Sequence, residues 1–264
     1  MDIGFNFLIM QQDKKIPTID LRVPASWEEL TDNQLRYLFG LIALDLSLVE
    51  VRTHCLLHWS GLKVLYKYGT GWWCKFVDDE FLITAEQVNA AIGALKWIGT
   101  PPPRPVRISR IGKHHALPAD FQEVPFETYI ICDNLYQGYL TTKDKGLLQQ
   151  MGYHLYSSEE IELTDAERIG VFYWFASLKT TLAHEFTHLF IPEDISTDDR
   201  NLFERSANKY KMRKEEVNAQ IRALTKGDVT KEKEVLAIDT WRALTELDAL
   251  AQEYRNLSRT PPKK

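Results

Sequence analysis

The chain has 264 residues, of which 44% are hydrophobic and 26% charged, and its net charge is −5. This supplies a buried core for one large domain or two small ones, and it argues against a disordered chain or a general nucleic-acid binder. Three cysteines, Cys55, Cys74 and Cys132, stand far apart with no CxxC pair. That set argues against a disulfide scaffold and a cysteine-rich zinc site.

The start, MDIGFNFLIMQQDKK, has no basic residues before its short apolar run and no small-residue cleavage site. It is a poor signal peptide. No apolar run is long enough to predict a membrane span. A cytoplasmic location is expected. Segments 3–10 and 16–23 are rich in β-branched and aromatic residues, and the polar stretch between them turns the chain, so a small hairpin is predicted.

Helix-start signals then become dense. Ser26 to Glu29 and Thr31 to Gln34 both match the capping box. Leu35, Leu38, Phe39, Ile42 and Leu46 follow at helical spacing. A second helix is predicted from Leu48 to Trp59, ending near Gly61. Residues 72–83 read as a hairpin turning at Asp78-Asp79, and Thr84 to Gln87 caps a helix that runs to Trp97. The segment TPPPRP at 100–105 cannot continue a helix and favours a stiff, extended chain. After it comes a basic loop or hairpin.

Amphipathic helix is predicted over 124–140, with a further segment from Gly146 to Tyr156. Thr164 to Glu167 caps a long helix that runs to about Phe190, before Pro192. Two more helices, Asp198–Thr225 and Thr230–Leu257, precede the tail SRTPPKK, which should fray. The expected class is mainly α, a multi-helix domain with one or two small β-hairpins. Its regions are a hairpin and helices over 1–99, a Pro-rich, basic linker or hairpin over 100–120, a helical region over 121–257 and a tail over 258–264.

One segment carries a chemical pattern. His184-Glu185-x-x-His188 is the HExxH spacing of zincin metallopeptidases. Two histidines four apart on one helix face can both reach a tetrahedral Zn²⁺, and the glutamate can take a proton from metal-bound water. Glu204 is the candidate third ligand; His188 is the last histidine, so a metzincin-type site is excluded. Val171, Phe175, Leu178, Leu182, Phe186 and Leu189 form one apolar stripe, from which both histidines project away. A packing helix with exposed histidines has the same phase. His54 and His58 form a second pair four apart, without the glutamate.

The last predicted helix has apolar residues at every third position: Val235, Ile238, Trp241, Leu244, Leu247 and Leu250. Each step of three lags the helical turn by about 60°, so these residues travel around the helix. A helix apolar on many sides must be central to a core or clasped by a second chain. These six are the candidate interaction residues. Arg104, Arg107, Arg110, Lys113, His114 and His115 make a local basic patch, read as a solvated loop before a phosphate contact. Lys209, Lys211, Arg213 and Lys214 run into Glu215 and Glu216 and read as an ordinary solvated helix face.

Trp27-Glu-Glu-Leu-Thr, FYWFASLK at 172–179 and VNAQIRALTKGDVTKEKEVLAIDTWRALTELDALA at 217–251 carry a resemblance. The chain is similar over most of its length to helical proteins encoded in phage and prophage tail-morphogenesis regions. That resemblance implies a virion component or tail-assembly factor in a bacterial host. Its partners would be itself and other tail or assembly proteins; it implies no catalytic site and no cofactor. Two expectations follow: a non-enzymatic assembly protein leads, with no membrane partner, and a zinc peptidase using His184, Glu185, His188 and Glu204 is the alternative. Nucleic-acid binding through 104–115 is a distant third.

Overall fold

The computed structural model describes residues 3–8, 18–190 and 215–259. Strands β1 (Ile3–Leu8) and β2 (Thr18–Val23) pair antiparallel, Ile3 opposite Val23. Helices α1 (Asp32–Ala43) and α2 (Leu48–Ser60) lead into a three-stranded meander of β3 (Lys63–Tyr68), β4 (Gly71–Phe76) and β5 (Asp79–Thr84). Then follow α3 (Ala85–Gly93), a two-residue hairpin β6–β7 (Arg110–Ile111, His114–His115), α4 (Phe126–Thr142), α5 (Lys145–Leu155) and α6 (Asp165–Glu185). Helix α7 covers 215–225, and α8 (Glu232–Ala237) and α9 (Thr240–Arg259) close the described chain. The fold is mainly α with minor antiparallel β, as the periodicity predicts. Among the described residues no helix is long and apolar enough to cross a membrane.

The chain divides into two compact units. The first holds 1–102, 106–108 and 163–173; the second holds 103–105, 109–162 and 174–264. The segment 100–120, read from sequence as a Pro-rich, basic linker or hairpin, has residues in both units.

In the first unit, reciprocal capping boxes start the helices. Thr31 and Gln34 open α1, Ser47 and Glu50 open α2, and Thr84 and Gln87 open α3. The box expected at Ser26 does not form. Buried Trp27 holds this segment in a short 3₁₀ turn, and Glu29 accepts instead from the Ala25 N–H at 2.8 Å. Trp27 stacks on Phe39 at 6.2 Å, meets Trp97 edge-on at 5.3 Å and donates its indole N–H to the Thr100 carbonyl. Two more predictions need correction here. The strand β3 was not foreseen, so the hairpin at 72–83 is the rest of a three-stranded sheet, with Val77 at the β4–β5 turn in the left-handed region (φ 55°). The helix expected to reach Trp97 ends at Gly93 and gives way to a 3₁₀ turn over Lys96–Gly99.

The second unit is built on aromatic and aliphatic side chains of α4, α5, α6 and α9. Phe121, Phe126, Trp174, Phe175, Met151 and Leu244 are all fully buried. Trp174 donates to the Ala119 carbonyl at 2.8 Å. The helix predicted over Thr230–Leu257 is broken. Ile238 is extended (φ −70°, ψ 159°), and Pro125 and Asp239 form a β-bridge. The Phe126 N–H donates to the Ile238 carbonyl, and the Thr240 N–H to the Val124 carbonyl, both at 2.8 Å. A distant strand segment therefore captures backbone groups that a continuous helix would need for itself. Of the helix expected over Asp198–Thr225, residues 198–214 lie outside the described residues, as do 260–264 of the tail.

Candidate functional site

The HEFTH segment sits where α6 stops. The predicted continuation to Phe190 does not occur: α6 ends at Glu185. Phe186, buried at 6% exposure, keeps the α-type bond to Leu182, and its own carbonyl accepts from Leu189 and, four residues on, from Phe190. Side chains sixty residues away hold the backbone at the stop. Asp248 of α9 accepts the N–H of His188 at 2.7 Å and of Leu189 at 2.8 Å with a single oxygen. Arg255 donates to the His188 carbonyl. A continued helix would pair the His188 and Leu189 N–H groups with His184 and Glu185, whereas the His188 carbonyl would face Pro192, which has no N–H.

This changes what the two histidines can do. His184 is exposed on the last helical turn, whereas His188 is half-buried in the turn beyond it. They no longer stand four apart on one helix, the geometry that the zincin reading requires. Arg255 Nη1 also lies 3.4 Å from His188 Nδ1. A guanidinium has donors only, so this contact is a hydrogen bond only where Nδ1 accepts. A metal-bound histidine needs the opposite arrangement, with its second nitrogen donating to an acceptor. Glu185 is exposed, and Glu204 lies outside the described residues. Among the described residues no group of three or more His, Cys, Asp or Glu side chains is placed to hold a metal ion. What remains of the predicted apolar stripe is its packing role: Val171, Phe175, Leu178, Leu182 and Phe186 are buried.

The other histidine pair does lie on continuous helix. His54 and His58 are exposed on α2, and His58 stacks flat on Tyr37 with ring centres 3.7 Å apart. In the basic segment, Arg110 donates to the Gly112 carbonyl across the β6–β7 turn and Lys113 pairs with Glu160 at 3.4 Å, both exposed. Arg104 and His115 are exposed, while Arg107 and His114 are half-buried.

The six apolar residues of the last segment divide in a way the sequence did not foresee. Leu244 and Leu247 are buried in their own unit, and Val235, Ile238 and Trp241 are half-buried. Trp241 donates to the Asp120 carbonyl at 2.6 Å and meets Phe186 edge-on at 5.4 Å. The turn at Ile238-Asp239 rephases the chain, so no all-round apolar helix exists there. Asp239 caps α9 by accepting the Arg242 N–H and reaches back to the Glu123 N–H at 2.6 Å. Within α9, Ala243, Leu247, Leu250, Tyr254 and Leu257 recur at spacings of four and three, the seam of a coiled coil. Ala243 and Leu247 are covered, whereas Leu250, Tyr254 and Leu257 are 38%, 74% and 75% exposed.

Buried ionisable groups complete the picture. Lys179 donates to Asp133 at 2.5 Å; burial pulls the Lys179 ammonium down to about 8, and Glu216 opposes the shift. All three cysteines are buried, and burial pushes Cys55 and Cys132 up to about 12 and Cys74 to about 11. Such thiols carry no thiolate nucleophile at neutral pH. Sequence reasoning also missed β3 and an apolar cavity of about 350 Å³ beside it. The signal was present: KVLYKY lies between the turn glycines Gly61 and Gly69. No family model, curated protein or solved structure matches the chain.

Proposed function

We propose that this chain is a non-enzymatic structural or assembly protein that associates with a second copy of itself through α9. The observation that carries the reading is the divided seam of that helix. Its first half is used inside the protein, and its second half, Leu250, Tyr254 and Leu257, continues the same spacing into solvent. A seam with spacings of four and three is self-complementary, because the same residues can serve as knobs and as walls of holes on the facing helix. The HEFTH segment supports the same reading, since its backbone serves as a tether between α6 and α9. The resemblance to helical proteins of phage and prophage tail-morphogenesis regions suggests the setting: assembly in the cytoplasm of a bacterial host, with other tail proteins as further partners.

Sedimentation of the full chain tests the proposal. The wild type should associate reversibly in the micromolar range, and Tyr254→Glu with Leu257→Glu should sediment as a monomer with an unchanged far-ultraviolet spectrum. A wild type that stays monomeric at every concentration would overturn it, as would a double variant that associates equally well.

A further inference from the structure

A second surface lies in the first unit and does not depend on the α9 seam. All six residues of β3 are exposed, whereas β4 and β5 of the same sheet each bury residues. The strand order is β3-β4-β5, so β3 is an edge, and among the described residues no strand lies beside it. Its side chains are not those of a shielded edge. Val64, Leu65, Tyr66 and Tyr68 are 45%, 44%, 53% and 61% exposed. An edge strand with exposed apolar side chains is a template for another chain.

The inner side of this strand opens on a cavity. Val64 stands opposite Cys74 in the register, and both line the apolar space of about 350 Å³ bounded by the meander, α2 and α3. Leu56, Trp72 and Ile83 form further walls. Val49 and Val64 line the cavity and are 57% and 45% exposed, so it reaches solvent beside β3. The volume is at the small end for a ligand pocket. It suits one large apolar side chain. On the other face, Tyr66 and Tyr68 each lie 6.4 Å from Trp73, a firm aromatic flank.

Charge selects the occupant. Lys63 faces Lys75 directly across β3–β4, and Lys67 lies further along the same strand. Like charges directly opposite each other are unfavourable. Glu80 faces Lys75 from β5 and offsets that lysine, its Oε2 also accepting the Trp73 indole N–H, so Lys63 and Lys67 are the charges on the edge strand itself. A second copy pairing edge to edge would bring another Lys63 and Lys67 to the same place. A strand bearing carboxylates would relieve the repulsion.

We infer that β3 accepts an extended segment of another polypeptide as a fourth strand. One apolar side chain of that segment enters the cavity, and acidic residues flank it beside Lys63 and Lys67. Backbone pairing supplies the affinity, and the cavity and lysines supply the selection.

Fluorescence anisotropy with two labelled peptides tests this. One is Asp-Glu-Val-Thr-Leu-Thr-Val-Glu-Asp, and the other has lysine at each acidic position. The acidic peptide should bind saturably to the full chain and slow amide exchange in β3. The lysine peptide should bind at least about tenfold more weakly. Val64→Glu should abolish binding by filling the cavity mouth with charge. Leu65→Pro, at the bulge between Val64 and Tyr66, should weaken binding by removing one edge donor. The α9 double variant should bind as the wild type does, which separates this surface from the seam. The inference fails if the acidic peptide does not saturate, if the lysine peptide binds as tightly, or if Val64→Glu binds normally while folded. It also fails if the edge is occupied by a second copy, seen as a dimer that Leu65→Pro dissolves.

Discussion

Replacing Asp248 with alanine should open the end of α6, and replacing His188 should not. One Asp248 oxygen accepts two backbone N–H groups, from His188 at 2.7 Å and Leu189 at 2.8 Å. Hydrogen bonds to a charged group contribute about 1.5–3 kcal/mol each when buried, and the part-buried setting with a shared acceptor brings the pair to about 2–3 kcal/mol in total. Asp248→Asn keeps an oxygen in place and should lose about 1 kcal/mol or less of that. His188→Ala leaves both N–H donors and the carbonyl that Arg255 holds, and removes only the ring contact to Arg255. Its expected effect is below about 1 kcal/mol. Urea unfolding measures the global loss, and hydrogen exchange at residues 188 and 189 measures the local one. In Asp248→Ala the His188 amide should exchange faster than in the wild type and the Leu189 amide, which also donates to the Phe186 carbonyl, less so; in His188→Ala both should stay protected. The reasoning fails if His188→Ala destabilises the chain more than Asp248→Ala. It also fails if the wild type carries stoichiometric zinc that His188→Ala releases.

Three further outcomes follow from the packing. Gly71→Ala should weaken the β4–β5 pairing by at least about 2 kcal/mol, because a Cβ there would meet the Ile83 carbonyl oxygen at 2.4 Å, and thermal unfolding would show it. Asp239→Ala removes the cap of α9 and the acceptor for the Glu123 N–H, and should lower stability by about 1–2 kcal/mol in urea. Stability should also fall above pH 9. The three thiols are held above their ordinary value of 9, so from there upward the unfolded chain gives up thiol protons that the folded chain keeps. Each thiol then removes up to about 1.4 kcal/mol per pH unit. Lys179, drawn down from 10.5 to about 8, acts with the opposite sign over 8–10.5 and offsets roughly one thiol. A nearly level profile from pH 8 to 9 and a decline beyond it are expected, with a shallower decline in Cys132→Ala.

The helix starts were legible because their chemistry is local. Thr31 with Gln34, Thr84 with Gln87 and Thr164 with Glu167 each satisfy free N–H groups within one turn, and four residues of sequence suffice to see it. The helix ends were not, because their causes are distant. Asp248 holds the end of α6 from sixty positions away, and Val124 pairs with the last segment at Asp239 through the backbone of Thr240. The Ser26 box failed for a related reason: Trp27 is drawn into an aromatic cluster with Phe39 and Trp97, and that burial outweighs a cap worth about 1 kcal/mol. Strand β3 gave no inside-outside alternation to read, because both of its faces are exposed. The six candidate interaction residues do not share one helix: Val235 lies on α8, Ile238 at the break, and Trp241, Leu244, Leu247 and Leu250 on α9. Their spacing was counted through a break, and only Leu250 of the six belongs to the exposed half of the seam.

The two histidine pairs share a spacing but not a backbone. His54 and His58 have the uninterrupted helix but no glutamate between them, and one ring is held flat against Tyr37. His184 and His188 have the glutamate, but the helix ends between them. The HExxH pattern encodes chemistry only through the rotation of 100° per residue that brings positions four apart onto one face. Once Asp248 takes the N–H of His188, that rotation no longer applies, and the identity of the side chain matters less than its backbone. The same substitution therefore tests both readings. A residue used as a main-chain tether tolerates alanine, and a residue used as a ligand does not.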